Sequence, residues 1–260
     1  MANRIETLKK TVEYSIQRIP EEYRSNEYIQ SDQSIWRKIC IGIVTCDATK
    51  SRFDNFMKVH SEIFERFNID YFVIHSDPDI ETEDEKDYVI DGHNFTARFE
   101  ETYETLHKKI ITFYSYLSNT TEYSHVIKID DGCLLDLSQA ISNLNLDFVG
   151  TLLTAKMNKY HQGKCTDPKW NSYVSDFKHE LDELIGEEEF NRLNLTKTKY
   201  AAGGCAYRLS RKAIDVISNY LEYAHNLDFA YEDLLIGQLL KINHITVNRN
   251  NMGKHHRIPK

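Results

Sequence analysis

Two adjacent carboxylates, Asp130 and Asp131, close the run VIKIDD at residues 126–131, and Gly132 follows them. Val126, Ile127 and Ile129 read as a buried strand, where an uncompensated charge costs several kcal/mol or forces protonation. Two readings compete. Asp-Gly is a common surface-turn pair; alternatively, hard carboxylate oxygens at a strand end suit a divalent cation. A second acidic pair, Glu232 and Asp233, opens the stretch EDLLIGQLL. Its plain reading is charge at the positive end of a helix dipole, worth about 0.3–1 kcal/mol.

The elements that must carry these residues alternate. KICIGIVTCD (38–47) is a continuous β-branched apolar run, as a buried parallel strand would be. SRFDNFMKVHSEIFERF repeats apolar residues at helical spacing, and IDYFVIHSD (69–77) reads as a second strand. The spacing predicts a long helix over 98–117, followed by the strand YSHVIKIDD. Strand, helix, strand, helix, strand predicts a doubly wound α/β sheet. Asp47, Asp77, Asp130 and Asp131 then fall at the carboxyl ends of strands, where such sheets bind ligands. That position favours the cation site over the surface turn. Downstream, NLDFVGTLL reads as one more strand and NSYVSDFKHELDELIGEEEF as a polar helix. YAAGGCAYRLS gives a glycine turn and a short strand, and residues 226–242 run from a polar start into an apolar helix. Ahead of all this, Ile5, Leu8, Val12 and Ile16 mark an amphipathic helix lying on the main domain. The expected organisation is a helical extension and connector over 1–35 and one α/β domain over 36–260.

Composition narrows the class of function. With 260 residues, 41% of them hydrophobic and four prolines, the chain can bury a substantial core. A net charge of −8 argues against a nucleic-acid partner, which needs surplus Lys and Arg. The C-terminal run NRNNMGKHHRIPK is a basic exception that could meet phosphate or, peripherally, an anionic membrane, a solvated basic end being the commoner case. Five cysteines without a CxxC pair, and no apolar leader, point to reduced thiols and a cytoplasmic location. No GxSxG elbow or Walker-type phosphate loop is present.

Five segments in order, VTCDATKSRF, YETLHKK, VIKIDDG, YAAGGCAYRLS and YEDLLIG, resemble the glycosyltransferases of the β1,3-galactosyltransferase and fringe type. Those proteins have the GT-A fold, a Rossmann-like doubly wound mixed sheet flanked by helices. The resemblance covers roughly residues 38–256. It implies an inverting transfer of a hexose, with a galactose-type donor favoured, from a UDP-sugar to a sugar hydroxyl of a glycan or lipid-linked glycan. The implied setting is synthesis of a surface polysaccharide.

Carried over residue by residue, the resemblance places Thr45, Arg52, Lys109, Asp130, Gly203 and Gly204 at the sugar nucleotide. Asp131, with His255 or His256, would hold Mn²⁺ or Mg²⁺, which neutralises charge on the leaving nucleotide. Asp233 would be the general base, with Glu232 the alternative. Thr105 departs from the asparagine usual in the YETLHKK segment. Gly132 stands where the family pattern has a third aspartate. A sugar-nucleotide or glycan-binding domain without catalysis is therefore the alternative reading, and a nucleotidyltransferase is another.

Overall fold

The structure is a computed structural model and describes residues 2–82, 86–154, 177–228, 231–254 and 257–259. The chain opens with α1 (Ala2–Gln17) and the short α2 (Asn26–Gln30). Then follow β1 (Ile39–Val44), α3 (Lys50–Phe67), β2 (Asp70–Ser76), β3 (Tyr88–Asp91), β4 (Asn94–Ala97) and α4 (Leu106–Thr120). Next come β5 (His125–Asp130), β6 (Leu134–Leu135), α5 (Leu137–Ala140), β7 (Phe148–Gly150) and β8 (Leu152–Thr154). After α6 (Phe177–Ile185) and α7 (Glu187–Leu193) lie β9 (Lys199–Ala201), β10 (Tyr207–Ser210) and α8 (Arg211–Ser218). The chain ends through α9 (Leu221–Asn226), α10 (Glu232–Ile242), β11 (Asn248–Arg249) and β12 (Gly253–Lys254).

Among the described residues, eight strands form one mixed sheet in the order β11-β7-β10-β5-β1-β2-β4-β3. Its centre is parallel: β1 pairs with β2 on one side and β5 on the other, with Val44 opposite Asp130. β10 joins β5 antiparallel, setting Tyr207 opposite Lys128. This is the mixed α/β sheet with flanking helices that a GT-A-like fold requires.

Side chains alternate across a strand, and β5 uses the alternation to divide its chemistry. Ile127 and Ile129 enter the core layer shared with α1 and α3, and Asp131 continues that face. Val126 enters the opposite layer, shared with α4, α8 and α10, and Lys128 and Asp130 continue that one. One strand thus delivers its two aspartates to opposite sides of the sheet.

Local departures from the expected elements have identifiable causes. The long helix starts at Leu106, not 98, because residues 98–105 find other partners. The Thr105 hydroxyl donates to Glu100 O and contacts Thr102 Oγ1, while Glu101 accepts from the Ser76 N–H at 2.8 Å. Threonine hydroxyls that satisfy the local backbone compete with helix formation. NLDFVGTLL breaks at Thr151 into β7, inside the main sheet, and β8, which pairs with β9 apart from it. The β3–β4 hairpin carries no pattern that the sequence reading recognised.

α1 docks on α3, burying Leu8, Val12 and Ile16 in the same core as Phe56 and Ile63. Leu8→Ala should therefore lower whole-chain stability by about 2 kcal/mol, read as an earlier urea midpoint of a single transition. An unchanged midpoint would show that α1 contributes nothing to the core.

The basic C-terminal run is also tied down. β12 pairs with β6, and the Arg257 and Ile258 N–H groups donate to Gly132 O at 3.0 and 3.2 Å. Gly253 permits this return: a Cβ there would meet Cys205 O at 1.8 Å.

Candidate active site

Both acidic pairs lie on one rim, beyond the carboxyl ends of β1 and β5 and at the start of α10. Asp131 points toward α3, where its Oδ2 accepts from Thr45 Oγ1 at 2.9 Å and its Oδ1 meets Arg52 Nη1 at 3.4 Å. The side chain is 4% exposed. Burial raises its pKa, while the Thr49 and Thr45 hydroxyls and the Arg52 guanidinium act in the other direction. The Arg52 side chain covers Gly132, so that a Cβ built there would lie 3.4 Å from Arg52 Cδ. A third aspartate would have to share this space with the arginine.

Asp130 turns the other way. Its Oδ1 accepts from Lys128 Nζ at 2.8 Å, and a third of its side chain remains exposed. Lys128 also reaches Glu232 Oε2 at 3.5 Å, and its own side chain is 2% exposed. Burial alone would favour the neutral amine. Asp130, Glu232 and Asp233 overcome this and hold Lys128 charged well above the ordinary lysine range. The other oxygen of Glu232 accepts from Tyr207 Oη at 2.7 Å, and Tyr114 Oη donates to Tyr207 Oη at 2.8 Å. Glu232 is thus held at both oxygens.

Asp233 is buried beside it with looser partners. Tyr231 Oη approaches Oδ2 at 3.4 Å, and among the described residues Oδ1 accepts no hydrogen bond of good geometry. Burial and then the Glu232 carboxylate push Asp233 well above the usual carboxylate range; Lys128 and the nearby Gly203 N–H pull it back. Its rim is aromatic, with Tyr200 and Tyr231 perpendicular at 5.8 Å.

The glycine turn sits between the two acidic pairs. A Cβ on Gly203 would lie 2.0 Å from Asp233 Oδ1 and 2.6 Å from Lys128 Nζ. Only a residue without a side chain lets these two charged groups meet over the backbone. Gly204 contributes its carbonyl to the Cys133 thiol.

Of the residues singled out in the sequence, Asp130, Glu232, Asp233 and Gly203 converge through Lys128, while Thr45, Arg52 and Asp131 form an adjoining group. Lys109 differs from expectation. It is fully buried, with Nζ paired to Glu101 Oε1 at 2.5 Å and donating to Thr45 O at 3.2 Å. In this state it braces the β1 end from beneath. His255 and His256 lie outside the described residues. Among the described residues, no three His, Cys, Asp or Glu side chains converge as a metal site.

Sequence reasoning missed Lys128, Tyr207, Tyr114 and Glu101. One signal was present: a lysine inside an apolar strand two residues before an aspartate lies on the same face as that aspartate.

No curated protein matches the chain at a significant level. A family model does, over residues 73–252, which include four of the five motif segments and leave VTCDATKSRF outside. The order of those segments, the mixed sheet and the two facing acidic pairs agree with that match: the chain belongs to the Galactosyltransferase family and is a glycosyltransferase.

Proposed function

We propose that the protein transfers a hexose, of galactose type, from a UDP-sugar to a hydroxyl of a glycan or lipid-linked glycan, with inversion at the anomeric carbon. The observation that carries this reading is the Lys128 bridge between Asp130 at the end of β5 and the Glu232–Asp233 pair at the start of α10. It sets a donor-side carboxylate and a base-side pair on one rim.

In the reaction the acceptor oxygen attacks the anomeric carbon as the bond to the diphosphate oxygen breaks, and that electron pair leaves with UDP. Asp233 takes the hydroxyl proton. A raised proton affinity suits it, because a carboxylate that holds its proton more tightly than a free one is the stronger base. Glu232 already has a partner at each oxygen, Lys128 and Tyr207, whereas Asp233 Oδ1 has none of good geometry among the described residues.

The charge balance suits a divalent cation. With Asp233 in its ionised, base form, the carboxylates of Glu101, Asp130, Asp131, Glu232 and Asp233 outnumber the cations Arg52, Lys109 and Lys128 by two before a diphosphate arrives. Asp131 retains acceptor capacity, since a carboxylate has about four lone-pair sites and Thr45 and Arg52 engage two. Asp131, with His255 or His256, would hold Mn²⁺ or Mg²⁺. Lys254 and Arg257, which bracket the two histidines, are both tied to the 132–134 turn. When bound, the ion supplies positive charge to the leaving diphosphate.

The proposed setting is cytoplasmic synthesis of a surface polysaccharide, with a lipid-linked acceptor met peripherally. The four described cysteines form no disulfide with one another, and exposed Lys254 and Arg257 offer positive charge to a membrane surface. Among the described residues no helix is long and apolar enough to cross a membrane.

The direct test is UDP release from a panel of UDP-sugars with Mn²⁺, with Mg²⁺ and with EDTA. Release should require the metal, favour a galactose-type donor and fall about 100-fold in Asp131→Ala. Tight donor binding without turnover, in the presence of acceptor glycans, would favour the binding-domain reading. Failure to bind any nucleotide sugar would sink both.

A further inference from the structure

We propose that Lys128 is a positioning residue of the transferase, its buried ammonium clamping Asp130 to Glu232 so that Asp233 is left free to act as the base. This rests on the reading of Asp233 as the proton acceptor and adds a residue to it.

The clamp follows from the geometry. Lys128 lies in the middle of a central strand, where an unpaired ammonium would be very costly. The site supplies two carboxylate contacts, at 2.8 Å from Asp130 and 3.5 Å from Glu232. These partners come from different parts of the chain, β5 and α10, so the ion pairs fix the distance between the donor side and the base side. The bare backbone of Gly203 brings Nζ and Asp233 Oδ1 over the same Cα. The Tyr207 ring, 5.8 Å from Nζ, closes the remaining side.

A clamp of this kind acts on Asp233 in two ways. It holds Glu232 by one oxygen while Tyr207 holds the other, so the neighbouring acid is anchored at both oxygens while Asp233 Oδ1 has no partner of good geometry among the described residues. It also offsets the repulsion between the two carboxylates. The groups facing Asp233 are Lys128 from β5, Tyr114 from α4, Tyr200 from β9, Tyr207 from β10, and Glu232 and Tyr231 beside it. Lys128 is the one cation among them within the described residues. Removing it should strengthen Asp233's hold on its proton, whereas removing the Glu232 charge should weaken it.

The test uses the acid limb of the pH profile of kcat/KM for UDP release in the full-length protein, on which activity rises as the base loses its proton. In Lys128→Met the limb should move up by about 1–3 pH units, and kcat should fall more than KM rises. Lys128→Arg, which keeps the charge, should restore the limb toward its wild-type position. In Glu232→Gln the limb should move down, a readout that stands even if Lys128→Met does not fold. Opposite displacements would establish the electrostatic clamp. Limbs that stay in place in the folded variants, or equal losses in the Met and Arg variants, would overturn it while leaving the transferase reading intact. A wild-type protein that releases no UDP from any donor would overturn both together.

Discussion

Asp233→Asn should lower kcat for hexose transfer by about 10²–10⁴-fold, the usual contribution of a general base, with little change in donor KM. Asparagine keeps the size of the side chain but cannot take the acceptor's proton. The same substitution should make the protein more stable, which separates lost chemistry from lost folding. Asp233 is buried, and its folded-state pKa lies well above the ordinary carboxylate value. Between those two values the folded state binds its proton more tightly than the unfolded chain does, so stability falls as pH rises through the interval. Asparagine has no such proton. The variant should therefore melt above wild type at alkaline pH, with the difference narrowing as pH falls and levelling off below about pH 4, where the unfolded state also becomes protonated. Thermal melts at a series of pH values, paired with single-turnover rates, would check both halves. Wild-type kcat in the Asn variant would remove Asp233 from the mechanism.

Gly203→Ala should fold and yet lose about 100-fold or more in kcat. The added methyl would fall 2.0 Å from Asp233 Oδ1 and 2.6 Å from Lys128 Nζ. Both clashes are with the far ends of side chains, which can swing aside at a cost of about 1–3 kcal/mol, the usual range for overpacking. Backbone strain adds nothing, because Gly203 is not among the residues in the left-handed region. What swings aside, however, is the base and the cation beside it, and a misplacement of about 1 Å can cost 10²-fold in rate. Gly253 is the instructive contrast, since a methyl there meets the Cys205 carbonyl of the main chain, which cannot rotate away. A folded protein whose melt drops by about 2–4 °C per kcal/mol of that cost, with collapsed UDP release, is the expected outcome for Gly203→Ala. Retained activity would mean that Asp233 does not need its position over this turn.

The two substitutions probe different parts of one arrangement. Asp233→Asn removes the proton acceptor and keeps its place; Gly203→Ala keeps the acceptor and moves it. Loss of kcat in both, with donor KM held, would assign the α10 start to the chemical step rather than to donor binding.

The sequence by itself determined the alternation of strands and helices, because hydrophobic period depends only on which neighbours are apolar. The β5 run VIKIDD and the α3 stripe from Phe53 to Phe67 carry that information within a few residues. It also put both acidic pairs at element ends, where charge can reach solvent or ligand, and the order of five short segments pointed to the family. The true start of α4 was not legible, since it depends on Glu101 finding Ser76 and Lys109, partners supplied by other parts of the chain. Nor was the fate of Lys109, which looks like a helix-surface charge until α4 is laid on the sheet and buries it.

The tertiary structure alone decided how the charges pair. Strand alternation says that Asp130 and Asp131 must face opposite sides, but not that one side holds Arg52 and the other Glu232. Lys128 and Glu232 are 104 residues apart, and nothing local to either announces the other. Ion pairing across such a separation is set by which helix the sheet packs beneath, and so by the energetics of the whole core. The general base, the clamp beside it and the glycine that lets them meet become one site only when β5, β10 and α10 are brought together.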